Sequence, residues 1–149
     1  MNLFQALEIM KTHIVTVQSD STLADAIDRM DLYQVDELPV VDDEGRLSGM
    51  IREYDIARSL IAKANGTDSP DYLSNTGSAA AIAATLVRQS MTCEIFSVLD
   101  TDELTTELAL KLLKVYRRIP VIDEEQRVVG TLNRVDIIQA LFEGTISLV

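Results

Sequence analysis

The residues of this chain with the clearest chemical potential are two aspartates, Asp55 and Asp136. Each lies three residues beyond an expected helix boundary, at Arg52 and at Asn133. A carboxylate in a helix's first turn is stabilised by the unpaired amides and the dipole found there. One reading is therefore a helix cap, and Asn133-x-x-Asp136 is a good version of it, because asparagine is a favoured N-cap. The other reading is a carboxylate that accepts hydrogen bonds from a ribose diol, as acidic residues do in dinucleotide-binding folds. Local sequence leaves both open.

Nothing else reads as a catalytic set. The lone histidine, His13, has no nucleophile at a recognisable spacing. It is either a surface residue or a side chain that stacks on a base or meets a phosphate. Cys93, the single cysteine, reads as a small packing residue. One histidine and one cysteine argue against a zinc site of the usual kind. Neither Gly45-x-x-x-Gly49 nor Gly130 has the pattern of a phosphate-cradling loop. Asp42-Asp43 fall on an expected turn, where solvated charge is the default.

The elements that must position the aspartates come as a repeat. Leu38 to Asp55 matches Ile119 to Asp136 position by position at an offset of 81 residues. Pro39 aligns with Pro120, and Gly49 with Gly130. Such a repeat is a fold-level signal. In each copy, Leu/Ile-Pro-Val-Val/Ile reads as a strand, an acidic segment as a tight turn, and the next apolar run as a second strand. A helix then follows, from about Glu53 to Ala64 and from about Arg134 to Phe142. Turn chemistry departs at one place, where Gln126 replaces Gly45.

Upstream of each hairpin the pattern also repeats. Ile14 to Val17 reads as a brief strand, and Ile95 and Val98 repeat it. Ser19-Asp20-Ser21 offers caps for a helix carrying Leu23, Ala26, Ile27 and Met30, and Thr101-Asp102-Glu103 for one carrying Leu104, Leu108 and Leu112. Leu23/Ile27/Met30 and Leu104/Leu108/Leu112 read as core stripes. Residues 2–10 form a short amphipathic helix. Asn65 to Asp71 is a break rich in turn formers, and Ser78 to Val87 an alanine-rich connecting helix. The expected layout is an N-terminal segment and first repeat over 1–64, a linker and connecting helix over 65–90, and a second repeat over 91–149.

Composition bounds the rest. The chain has 149 residues, a net charge of −11 and 47% hydrophobic residues, which suits one compact domain or two small halves. The acidic balance argues against nucleic acid, whose phosphates need Lys and Arg. It leaves room for an anionic small ligand, because local charge can oppose the global sign. The most apolar run, Ala79 to Val87, falls short of a membrane span, and Met1 to Phe4 begins no signal peptide. A single cysteine fits a cytoplasmic protein.

Two copies of strand–helix–strand–strand–helix, with Leu/Ile-Pro-Val-Val/Ile-Asp, an acidic turn and Gly-h-h-x-x-x-Asp-h (h, apolar), resemble the CBS domain. A tandem pair resembles a Bateman module. The resemblance implies an α+β fold of two βαββα repeats about a pseudo-two-fold axis. It also implies two clefts that take an adenosine-containing ligand: AMP, ADP, ATP or S-adenosylmethionine. The aspartate of each repeat would hold the ribose, opposite the first strand and pre-proline residues of the other. One cleft would combine Arg52 and Asp55 with Ile95, Phe96, Tyr116 and Arg117. The other would combine Asn133 and Asp136 with Ile14, Val15, Val35 and Asp36.

This chain departs from the family pattern at Arg52 and Asn133, where Ser or Thr is common. Arg52 can still fork onto phosphate. Arg52, Arg117 and Arg118 surround the Asp55 cleft with positive charge. The Asp136 cleft has Arg134 and Lys11 but also Asp36 and Glu37, so the Asp55 cleft is the expected nucleotide site. The expectation is a regulatory module, not an enzyme, with no cofactor and no attached effector domain. It would pair into a flat homodimer through helices 53–64 and 134–142 and signal to a separate effector protein, with no nucleic acid or membrane partner. The competing class is a structural or dimerisation module with empty clefts.

Overall fold

The structure, a computed structural model, describes residues 14–66, 80–81, 83–103 and 105–142. The helix expected over 2–10, Lys11, His13, Leu104 and most of the 65–78 tract lie outside the described residues, as does the side chain of Leu108. Val15–Ile95 form one compact unit, and Ile14 with the described residues from Phe96 onward forms the other. The two repeats fold the same way, as an α+β pair of βαββα motifs.

In the first unit, β1 (Val17–Gln18) is followed by α1 (Leu23–Tyr33), β2 (Glu37–Val41), β3 (Leu47–Arg52) and α2 (Glu53–Gly66). β1 lies parallel to β2, which requires the α1 crossover, and β2 pairs antiparallel with β3 through the short hairpin. The acidic turn works as its chemistry predicts. Asp42 Oδ1 accepts the N–H groups of Glu44 and Arg46, both at 2.9 Å. Gly45 takes φ +80°, a left-handed value that costs glycine little. The sheet and helices close on a core of Leu23, Ala26, Leu38, Val40 and Ile51, each at most 1% exposed. Burying a Leu or Ile of this kind contributes about 2 kcal/mol.

The second unit has β4 (Val98–Leu99), α3 (Thr106–Lys114), β5 (Arg118–Ile122), β6 (Val128–Asn133) and α4 (Arg134–Phe142). Its pairings copy the first, down to the irregularity between Val121 and Ile122 that matches the one between Val40 and Val41. Asp123 repeats the Asp42 turn, accepting from Glu125 and Arg127. Gln126 takes φ 67° where the first repeat has glycine. The departure in sequence thus leaves the turn intact and a side chain in the left-handed region. Leu112, Ile119, Val121, Leu132 and Ile137 fill the core.

Several expectations need correction. The first strand is Val17–Gln18, and Ile14 to Thr16 precede it. The α1 cap is Thr22, not Ser19 to Ser21: its side chain accepts from Asp25 N, and the Asp25 carboxylate accepts from Thr22 N. Ile27 is 47% exposed, because Ala26 occupies the inward position between Leu23 and Met30. Asp102 does not cap α3. Its carboxylate reaches back to Leu99 N at 2.8 Å, and the helix starts later, at Thr106. α2 runs to Gly66 through the expected break at Asn65. The alanine helix stops short of Val87, which opens a 3-10 turn, Val87–Gln89, and is fully buried. Cys93 is exposed rather than packed.

Candidate functional site

Asp55 and Asp136 occupy equivalent places. Asp55 is 3% and Asp136 7% exposed. Asp55 Oδ2 accepts the Arg52 N–H at 2.9 Å, and Asp136 Oδ2 accepts the Asn133 N–H at 2.8 Å. Both carboxylates thus close the first turn of the helix after the hairpin, half of a capping box. The helix-cap reading is satisfied at both positions, with the carboxylates held rigidly.

Further partners fix Asp55. Its Oδ1 accepts from Thr92 Oγ1 at 3.2 Å and from the Arg58 guanidinium at 3.4 Å. Arg58 also lies over the Tyr54 ring, 5.8 Å from its centroid. Residues 90–92 are attached beside it. Thr92 and Met50 exchange two backbone hydrogen bonds of 2.9 Å, and Ser59 Oγ donates to Ser90 Oγ at 2.9 Å. Neither Thr92 nor Arg58 was among the sequence candidates. Arg58 sits three residues along the same helix face, a spacing that could have found it. Thr92 is distant in sequence and carried no local signal.

The residues at the departed Ser/Thr positions pair across their own hairpins. Arg52 Nε donates to Glu37 at 3.1 Å, and Arg118 Nε donates to Asn133 Oδ1 at 3.1 Å. Glu37 faces Arg52 and Arg118 faces Asn133 in the strand registers, so the repeats place the cation on opposite strands. Arg52 is therefore an ion-paired arginine with its side chain 37% exposed. Arg134 turns its guanidinium onto the carbonyl of Leu112, in the last turn of α3, and onto that of Tyr116, two residues past its end. That geometry complements the negative end of the helix.

Within the second unit Phe96 and Tyr116 stack, with centroids 5.2 Å apart and planes 12° from parallel. Lys111 Nζ lies 5.3 Å from the Phe96 centroid. Phe96 also lines an open cavity of about 630 Å³ with Thr101, Asp102, Glu103, Glu107 and Lys111. Three carboxylates against one ammonium make that cavity unsuited to a polyphosphate. Arg117 is exposed, and its carbonyl accepts the Arg134 N–H. Val15 and Val35 pack against the first unit's core, and the Asp36 carbonyl accepts the Glu53 N–H. Ile14 and Ile95 are half-buried. Among the described residues no cluster of His, Cys, Asp and Glu is arranged for a metal ion, and no helix is long and apolar enough to cross a membrane.

A family model described as CBS domain matches residues 6–62 and again 87–143. The chain belongs to the CBS domain family. As a tandem CBS pair it is 28% identical over 137 residues to the inosine-5'-monophosphate dehydrogenase of Methanocaldococcus jannaschii, covering 91% of this chain. It spans only 23% of that enzyme's length. Among solved structures, CBSX2 of Arabidopsis thaliana in complex with AMP superposes with a TM-score of 0.73 at 21% identity, covering 96% of this chain and 99% of that one. The CBS domain pair of protein MJ0100, in complex with 5-methylthioadenosine and S-adenosyl-L-methionine, gives a TM-score of 0.67 at 23% identity, covering 97% and 100%. These two likenesses show the shared CBS fold.

Proposed function

We propose that this CBS pair is a regulatory module that senses an adenosine-containing nucleotide, with AMP, ADP, ATP and S-adenosylmethionine as the candidate ligands. One observation carries the reading: two buried aspartates stand at matched places in a fold whose solved members include complexes with AMP and with S-adenosyl-L-methionine. Each carboxylate is already oriented by the N–H of its helix cap, which sets the direction from which a ribose diol would approach. We place Arg52, Ile95, Phe96, Tyr116 and Arg117 with Asp55, and Asn133, Ile14, Val15, Val35 and Asp36 with Asp136. The Glu37 ion pair on Arg52 makes phosphate binding there a competition between two anions. Ligand binding would favour one arrangement of the protein over another and pass that preference to an effector protein. Catalysis has no part in this reading.

The chain would act as a homodimer. On α2, Tyr54 is 70% and Ile61 60% exposed, and on α4, Val135 is 53% and Phe142 87% exposed. A second copy would cover these side chains. The alternative, a structural or dimerisation module with no nucleotide, draws support from the capping role that both aspartates already fill. Calorimetric titration of AMP, ATP and S-adenosylmethionine into wild type and Asp55→Ala separates the two. Saturation in wild type that the variant loses supports sensing. Absence of heat from every candidate supports the structural module.

A further inference from the structure

Asp55 and Asp136 share a place in the repeat, but two residues on the helix that follows differ. At Asp55 the chain that leads out of the first unit is fastened to the carboxylate itself. Thr92 Oγ1 donates to Oδ1, the oxygen that is not used by the Arg52 N–H. The same three-residue segment, Ser90 to Thr92, is held twice more. Thr92 pairs with Met50 through two backbone hydrogen bonds, and Ser90 receives the Ser59 hydroxyl at 2.9 Å. Gly49 leaves room for this: a Cβ there would sit 2.8 Å from the Thr92 carbonyl oxygen. The second repeat differs from the first at two of these positions. Ala140 stands where Ser59 stands in the first, and Gln139 where Arg58 stands.

A ribose diol donates two hydroxyl hydrogens and asks for both carboxylate oxygens. Asp55 is 3% exposed and its Oδ1 already has two donors, so a diol can reach that oxygen only by displacing one. We propose that Ser90–Thr92 is a ligand-responsive latch, in which a diol bound at Asp55 displaces Thr92 and loosens the segment leading to the second unit. Only Cys93 and Glu94 separate Thr92 from Ile95, where the first unit ends. Occupancy at Asp55 would thus change the stiffness of one of the two covalent links between the units, the step by which binding becomes a signal. Arg58, whose side chain is 56% exposed, can stay over Tyr54 and keep its charge near the ligand. This inference rests on the nucleotide-sensing reading above and assigns its regulation to named residues.

The test uses the full chain, AMP as probe and two variants. Thr92→Val keeps the shape and removes the donor. Ser59→Ala removes the second fastening and the hydroxyl's bond to the Asp55 carbonyl, and leaves the donors on the Asp55 carboxylate in place. Without ligand, both should lower hydrogen-exchange protection at the Met50 and Thr92 amides by about tenfold while the β2–β3 amides stay protected. AMP should lower Thr92 protection in wild type. Thr92→Val should bind AMP about tenfold more tightly, the worth of one competing hydrogen bond to a carboxylate. Saturable AMP binding with unchanged Thr92 protection, or with equal or weaker affinity in Thr92→Val, overturns the latch and leaves sensing intact. No AMP saturation in wild type defeats sensing itself. Unchanged protection in both ligand-free variants then removes the fastening as well.

Discussion

Replacing Gly49 by alanine is the sharpest probe of how the first repeat holds its connector. A Cβ at Gly49 would meet the Met91 sulfur and the Thr92 carbonyl oxygen, both at 2.8 Å. The sulfur can swing aside, because methionine is flexible. The carbonyl is backbone, and reaching an ordinary 3.4 Å contact requires the connector to retreat by about 0.6 Å. That retreat strains the two Met50–Thr92 hydrogen bonds of 2.9 Å, each contributing about 1 kcal/mol. Overpacking of this sort costs about 1–3 kcal/mol, against which alanine recovers about 0.4–1 kcal/mol by restricting the unfolded chain. The expected net destabilisation is about 1 kcal/mol, read as a lowered urea midpoint at unchanged slope. Gly45→Ala is the control: its Cβ meets nothing within 4 Å, so only its φ of +80° costs, about 1 kcal/mol. A Gly49→Ala variant as stable as wild type would refute the connector geometry.

The other expectations concern the turns, a cap and the helix faces. Gln126→Gly should raise the unfolding free energy by about 0.5–1 kcal/mol, read as a higher urea midpoint, because φ 67° strains glutamine and not glycine; a loss of stability would contradict that. Thr22→Ala should cost about 1 kcal/mol by opening the Thr22–Asp25 capping box, measured by thermal melting. Desolvation pushes the Asp123 carboxyl up, but the N–H groups of Arg127 and Glu125 and the Arg127 guanidinium outweigh it and hold it below its ordinary range. Its contribution to stability is therefore present above the unfolded-state value and lost as pH falls through the lower folded one. Asp123→Asn keeps an acceptor for both N–H groups and should flatten the stability profile in that acid window, with a steeper profile counting against the turn. Ile61→Glu together with Phe142→Glu should shift sedimentation from dimer to monomer, and an unchanged sedimentation coefficient would count against α2 and α4 as the contact.

The fold was legible because its signals are local and doubled. Apolar alternation around Pro39 and Pro120, with acidic turns at one offset, fixes both hairpins without any long-range information. Asp55 and Asp136 were legible as first-turn carboxylates for the same reason, since the spacing to Arg52 and Asn133 sets the cap. What escaped depends on packing. Ile27 has core-like spacing, yet small Ala26 sits deeper, and one side chain's burial is decided by its neighbours. Arg52 and Arg134 look like ready cations in sequence, but the strand register delivers Glu37 to one, and the last turn of α3 and the residues just past it deliver carbonyls to the other. Asp102 looks like a cap and serves the turn before the helix instead. Thr92 reaches Asp55 across 37 residues, a separation that no periodicity encodes.

Sensing in this protein would turn on a buried carboxylate that exchanges a protein donor for a ribose diol. The direct measurement compares AMP with its 2′,3′-dideoxy analogue by calorimetry, in wild type and in Asp55→Ala. Wild type should bind AMP at least about tenfold more tightly than the analogue, because a site built for a hydroxyl rejects a ligand without one. Asp55→Ala should bind the two alike. Equal affinity of wild type for AMP and the dideoxy compound would contradict the assignment of Asp55 to the ribose.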